Sequence, residues 1–206
     1  MSGVGLFFNI TLVLSAINTH RQAHCVPPLV WNPDLGIVAQ NWSENLAKTN
    51  AFYHSNSRYG ETLAMVQGVN GDDQTNALIT AIKMWYDEIT KYNWSSPGFY
   101  PSTGHFTQVV WRDTTDVGFG VALNSRGRAV ITAEYFPSGN IESRQYFEAN
   151  VKRPCNVSSP PPLPMPVCRS KAPPPPQKQN KQKVMPPKPP KSVMKRPPKN
   201  SPPKPI

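Results

Sequence analysis

A chain of 206 residues has room for one or two domains, and the distribution of its charge settles the division. All 12 acidic residues lie between Asp34 and Glu148, whereas the 22 Lys and Arg divide evenly, 11 in residues 1–155 and 11 in 156–206, for net charges of −1 and +11. Eighteen of the 25 prolines also fall in the last stretch, so a near-neutral domain precedes a basic, proline-rich extension, and the positive total gives no ground for specific nucleic-acid recognition by the domain.

The chain opens on a mostly apolar run from Gly3 to Ile17, too short and too interrupted to span a membrane. Val13-Leu14-Ser15 offers a signal-peptide cleavage site, although no Lys or Arg precedes the apolar run. The same residues read equally as a first helix from about Ile10 to His24, stopped by Pro27-Pro28. Next, Asn32 is placed to cap a helix with Pro33 in its first position. Leu35, Val38, Ala39, Trp42 and Leu46 follow at helical spacing, and that helix should end near Asn50.

Residues 53–72 read as a loop containing Gly60, Gly68 and Gly71. A third helix is predicted over residues 75–92, with Leu78, Ala81, Ile82, Trp85 and Ile89 as its buried stripe. Glu88 borders that stripe, where a carboxylate loses hydration and needs a partner. After a Ser-, Pro- and Gly-rich loop over 93–104, three β segments are expected, at about 106–112, 118–123 and 129–136. In the first of them His105, Thr107, Val109 and Trp111 would share one face. Turn residues between the segments predict an antiparallel meander, and helices followed by strands indicate an α+β domain.

Three cysteines cannot make a disulfide framework. Cys155 and Cys168 are close enough in sequence to bridge across the start of the tail, leaving Cys25 over; free thiols throughout are the alternative. Among the Asn-x-Ser/Thr sequons, Asn156 at the junction of domain and tail is the best candidate for glycosylation.

Gly104-His105-Phe106-Thr107-Gln108-Val109-Val110-Trp111 resembles the signature octapeptide of the CAP superfamily, which comprises the cysteine-rich secretory, antigen 5 and pathogenesis-related 1 proteins. His54, Gly60-Glu61-Thr62-Leu63-Ala64 and Trp85-Tyr86-Asp87-Glu88-Ile89 match further family motifs, so the resemblance covers about residues 12–153. Thr62 departs from the family's usual asparagine, and Ile17 from its usual histidine. Tyr135-Phe136-Pro137-Ser138-Gly139-Asn140 lacks the cysteine of the secreted signature and is similar to the cysteine-poor, Golgi-associated branch. The resemblance implies a three-layer α-β-α sandwich over residues 12–153; composition puts an apolar segment over 1–11 before it and, for want of large apolar residues, a disordered basic tail over 154–206 after it.

It also implies that His54, Glu61, Glu88 and His105 converge on a cleft. Two imidazoles and two carboxylates suit Zn²⁺ or another divalent cation. A metal-bound water with a glutamate base would make a peptidase; a polar cluster that organises the cleft is the simpler reading. The loop Tyr92-Asn93-Trp94-Ser95-Ser96-Pro97-Gly98-Phe99 carries the aromatic spacing of the family's sterol-binding loop. Tyr92, Trp94, Pro97 and Phe99 are therefore candidates to engage a sterol or fatty-acid-like lipid, or else to pack the loop onto the third helix. The leading expectation is a non-enzymatic lipid-binding protein. Its tail, with +11 over 51 residues, should associate with polyanions or an acidic membrane surface. Lys183-x-x-Pro186-x-x-Pro189 and Pro186-x-x-Pro189-x-Lys191 resemble SH3-domain ligands, the basis of a third reading as an interaction protein. A secreted, extracellular location is expected, with the cytoplasmic face of Golgi or other membranes as the alternative.

Overall fold

The computed structural model describes residues 8–67 and 73–155. The elements in chain order are helix α1 (Ile10–Ala23), strand β1 (Val30–Trp31), α2 (Pro33–Thr49), β2 (Gly60–Val66), α3 (Gln74–Asp87), a 3-10 turn (Glu88–Lys91), α4 (Gly104–Val109), β3 (Asp116–Leu123), β4 (Ala129–Phe136) and α5 (Arg144–Asn150). The sheet order is β1-β3-β4-β2, with β1 parallel to β3 and the other pairs antiparallel. Helix α2 covers one face, and α1, α3 and α4 gather on the other, giving the expected α-β-α layers.

Alternation along the strands assigns the two faces. Val117, Phe119 and Val121 join Ile131, Ala133 and Tyr135 in the main core with Val13, Ile17, Leu78, Ile82, Trp85 and Phe106. On the opposite face Gly118 and Gly120 let α2 come close. A Cβ at either position would strike the α2 backbone, at Leu35 and Gly36 or at Ala39 and Gln40. Helix α2 begins as its sequence dictates: the Asn32 side chain accepts the Asp34 and Leu35 amides at 3.0 and 3.3 Å, and Pro33 occupies the first turn. It ends on Asn50 in the left-handed conformation, φ 50°.

Helix α1 is the reading that holds at the N-terminus. Asn9 caps it, and Val13 and Ile17 are fully buried, so cleavage after Ser15 would remove part of the core. Its Arg21 is also fully buried, with no carboxylate partner among the described residues. The guanidinium instead donates to four backbone carbonyls, through Nε to Pro27 at 2.8 Å, Nη1 to Val109 and Trp111, and Nη2 to Thr114, the last three at 2.9 Å. Burial pulls its pKa down to about 10, so it stays charged at neutral pH.

Four expectations are corrected. The segment over 106–112 is not a strand: Gly104–Val109 is helix α4. Phe106 through Trp111 are all buried, so both faces are apolar-facing and the alternation there carries no information about period. The loop over 53–72 contains β2, which pairs along its whole length with β4. Its glycine and polar residues reflect an edge that supports the site, not a connection. The sheet is not a simple meander, because β1 joins it in parallel and β2 closes its other edge. Finally, Cys155 pairs with Cys25 and not with Cys168. The segment after α5 runs back beside the end of α1, where the Cys155 amide bonds the Ala23 carbonyl at 2.9 Å. Spatial neighbours 130 residues apart thereby outrank the sequence neighbour. Cys168, Asn156 and the SH3-ligand-like motifs lie outside the described residues.

Replacing Arg21 by Leu would remove four hydrogen bonds to backbone carbonyls, three of them buried, although Trp111 would keep the Thr114 amide as a donor. At roughly 1 kcal/mol or more each, the loss in unfolding free energy should reach about 4 kcal/mol, against less than ~0.5 kcal/mol for Leu at the exposed Arg112. Denaturant titration of both variants measures this, and equal losses would contradict the role given to Arg21.

Candidate functional site

His54, Glu61, Glu88 and His105 come from three kinds of element, and the structure brings them together as two His–Glu pairs, not as one cluster, among the described residues. Glu88 sits in the 3-10 turn after α3, where the tightening of the helix points its carboxylate at the start of α4. Its Oε1 accepts from His105 Nδ1 at 2.7 Å, and its Oε2 accepts the backbone amides of His105 and Phe106 at 3.0 and 3.1 Å. Helix α4 has no capping side chain of its own at Thr103, so Glu88 supplies the missing acceptor from outside.

The second pair is built on the β2 edge. His54 Nδ1 donates to Glu61 Oε1 at 2.5 Å, and the Ser55 amide reaches both Glu61 oxygens at 3.0 and 3.2 Å. The hydrogen bond to Glu61 raises the His54 pKa above its usual value. His54 is largely exposed, whereas Glu61 is nearly buried.

A fifth residue belongs to this group. Glu134 lies opposite Glu61 in the β2–β4 register, and residues paired in this way project to the same side of a sheet. Glu134 is fully buried. Its Oε2 accepts from Ser57 Oγ at 3.2 Å, while Oε1 has no donor. Two bare carboxylates cannot bond to each other; one proton between them can join them. Burial first, and the charge of Glu61 second, push the Glu134 pKa up to about 8, so Glu134 is the member that keeps its proton at neutral pH.

As a metal site this donor set has a definite form. Each histidine spends Nδ1 on a carboxylate, the arrangement that orients metal-binding imidazoles, and presents Nε2. His54 and His105 are thus the residues that would hold Zn²⁺, with Glu61 and Glu88 behind them. Among the described residues no three His, Cys, Asp or Glu side chains gather closely enough to hold an ion by themselves, so other ligands would have to come from water or a bound molecule.

The aromatic loop divides into two parts. Tyr92 is 5% exposed and packs edge-on against Trp94 and Phe106 at ring distances of 4.8 and 5.5 Å, so it belongs to the core. Trp94 and Pro97 are half-buried, and the Arg153 guanidinium lies 5.0 Å from the centre of the Trp94 ring. Phe99 and Tyr100 are 44% and 39% exposed. Beside them opens a cavity of about 340 Å³, lined by Gly98 and Phe99 from the loop and by Glu142, Ser143, Arg144 and Phe147 from α5 and the residues leading into it. Neither the α5 wall nor Glu134 figures among the sequence candidates. For Glu134 a signal exists, an acid in the middle of the apolar run Ala129-Val130-Ile131-Thr132-Ala133-Glu134-Tyr135.

The Glu134 pKa fixes a sign. A carboxyl raised in the fold above its ordinary range stabilises most below that range and loses the contribution as pH rises through about 8. Glu134→Gln should therefore gain thermal stability relative to the native chain between pH 5 and pH 8. A difference in Tm that does not change with pH would contradict the buried acid.

No helix among the described residues is long and apolar enough to cross a membrane. The profile of the cysteine-rich secretory protein (CAP) family matches residues 14–136. Golgi-associated plant pathogenesis-related protein 1 of Homo sapiens is 42% identical over 146 residues, 69% of this chain and 91% of that one. Pathogenesis-related protein 1B of Nicotiana tabacum is 38% identical over 130 residues, 62% of this chain and 74% of that one. In fold, the crystal structure of NaASP2 with Zn²⁺ covers 70% of this chain and 85% of its own, at a TM-score of 0.57 and 18% identity. With a family profile over more than half of its length and a relative 42% identical, the chain belongs to the CAP family.

Proposed function

We propose that this chain is a non-enzymatic CAP protein that binds an apolar lipid, of sterol or fatty-acid type, at the outer end of the aromatic loop. The observation that carries this reading is the open cavity between the loop and α5, floored by the buried Phe147 and flanked by the exposed Phe99 and Tyr100. Its volume of about 340 Å³ is in the range of small-molecule sites. The contact surface is shifted outward from the sequence candidates: Phe99 and Pro97 stay in it, Trp94 offers an edge, and Tyr92 supports it from below.

The cleft favours binding over hydrolysis. A general base must present a free oxygen to its substrate. Glu88 already accepts three hydrogen bonds, and Glu61 accepts from the His54 ring and, through both oxygens, from the Ser55 amide. In this reading His54 and His105 hold a divalent cation such as Zn²⁺ through Nε2, where it adds positive charge for an anionic group of a partner. The Cys25–Cys155 disulfide supports an oxidising compartment, hence the secreted over the cytoplasmic location. The tail supplies affinity for acidic membrane surfaces, which places the lipid site near a bilayer.

The test is a sterol titration of the full chain against Phe99→Ala/Tyr100→Ala, with folding checked by circular dichroism. Losing two aromatic contacts at about 1.5 kcal/mol or more each should weaken binding by about a hundredfold or more. His54→Ala/His105→Ala should bind sterol as before and lose Zn²⁺. Unchanged sterol affinity in the folded aromatic variant overturns the site. A second arm concerns the tail: binding of the full chain to vesicles of acidic lipid should fall steeply between roughly 0.05 and 0.3 M salt, because exposed charges are screened over ~10 Å at 0.1 M. Salt-insensitive binding would contradict a role for the +11 charge.

A further inference from the structure

We infer that Asn93, in the loop between the 3-10 turn and α4, is the acceptor of an N-linked glycan. The inference rests on the oxidising compartment of the proposed function and is independent of the lipid. Four Asn-x-Ser/Thr patterns occur in the chain, and the fold sorts the three that fall on described residues. A usable pattern must offer the asparagine amide and the hydroxyl two residues on to the same transferase.

Asn41-Trp42-Ser43 does not. Both ends of the pattern lie in α2, where residues two apart face away from each other. Asn41 is exposed, but Ser43 is fully buried and donates to Thr132 Oγ1 at 2.9 Å. Asn9-Ile10-Thr11 is divided between the cap and the first turn of α1. Asn9 is tied down there: its Oδ1 accepts the Leu12 amide at 3.2 Å, and its own backbone amide donates to Thr75 Oγ1 at 3.0 Å.

Asn93-Trp94-Ser95 meets the requirement. Between Lys91 and Gly104 the chain forms neither helix nor strand, and Asn93 and Ser95 are both exposed. Trp94 between them turns inward, edge-on to Tyr92 at 4.8 Å and 5.0 Å from the Arg153 guanidinium. The Asn93 carbonyl accepts the Ser96 amide at 3.2 Å and closes a turn, while Asn93 Oδ1 accepts the Ser95 amide at 3.0 Å. That second bond folds the carboxamide over the residue that carries the hydroxyl, and it uses the oxygen alone. Asn93 Nδ2 and Ser95 Oγ make no hydrogen bond among the described residues, so a sugar on Nδ2 displaces none.

The donor is an oligosaccharide carried on a polyprenyl pyrophosphate. Nδ2 bonds to the anomeric carbon of the first sugar as the bond from that carbon to the pyrophosphate oxygen breaks. Nδ2 gives up one proton, the polyprenyl pyrophosphate leaves, and nothing is oxidised or reduced. The Cys25–Cys155 disulfide is a second mark of the same compartment, on the same domain.

The experiment takes the full chain from its own source and alkylates it without reduction. An amidase then removes N-glycans in heavy-oxygen water and leaves labelled aspartate in place of each glycosylated asparagine. Mass analysis of the peptides should show Asn93 converted and Asn41 untouched, with Cys25 linked to Cys155. A linked disulfide with Asn93 unconverted overturns the glycan site and leaves the compartment reading standing. Alkylated Cys25 and Cys155 with Asn93 unconverted overturns the compartment reading, and the glycan on the native chain with it. A second measurement separates the site from the route, with the full chain expressed behind a cleavable secretion leader in a eukaryotic host. Asn93→Gln and Ser95→Ala should each remove the mass of one glycan, Ser95→Thr should keep it, and all three should match the native chain in circular dichroism. A glycan mass unchanged by Asn93→Gln overturns the site whatever compartment the native chain occupies. Sterol titration bears on none of these outcomes.

Discussion

The six residues of α4 cannot hold a helix unaided. Helices below about 12 residues are marginal in water, and nearly every backbone group in so short a piece is an unsatisfied end. The fold closes both ends from outside. Glu88 accepts the first amides, those of His105 and Phe106, and Arg21 donates to the last carbonyl of the helix, Val109, and to that of Trp111 just beyond it. One charged residue from the end of α3 and one from α1 thus clamp a buried segment between them. Each charge is offset by backbone dipoles, and in the case of Glu88 by His105 as well.

This clamp explains why the Glu88–His105 pair is where it is. Fixing the start of α4 fixes His105, and fixing the end carries the chain through Thr114 into β3. The other pair depends on a different support, the register of β2 on β4, which sets Glu61 beside the buried acid Glu134. Polar chemistry in the cleft is accordingly consumed by holding geometry. The apolar surface that remains available lies outside it, at Phe99, Tyr100 and the α5 groove. The functional reading follows from that separation.

Sequence reasoning recovered the elements whose signals are local. The Asn32 cap, Pro33 and an apolar stripe define α2 almost to the residue, because one face is buried and the other wet. Where burial is two-sided the pattern loses its meaning. Helix α4 passed for a strand, since its apparent alternation lies wholly inside the core. Strand β2 passed for a loop, since its place is set by a partner some seventy residues away in β4. Among the site residues, His54, Glu61, Glu88 and His105 were legible through family motifs, and their assembly into two separate pairs was not. Glu134 stood in plain view as an acid inside an apolar strand. Its role needed the register, which places Glu61 opposite. The pairing of Cys25 with Cys155 likewise depends on the return of the chain past α1, a tertiary fact with no local mark.

The claim most central to this account is that α4 depends on Arg21 for its carbonyl end. Amide hydrogen exchange of Arg21→Lys addresses it, because lysine keeps the charge but cannot reach four carbonyls at once. The account predicts that the α4 amides, Thr107 to Thr103 and Val110 to Phe106, lose far more protection than those of the β3–β4 ladder. Equal loss across both, or no loss at α4, would contradict it.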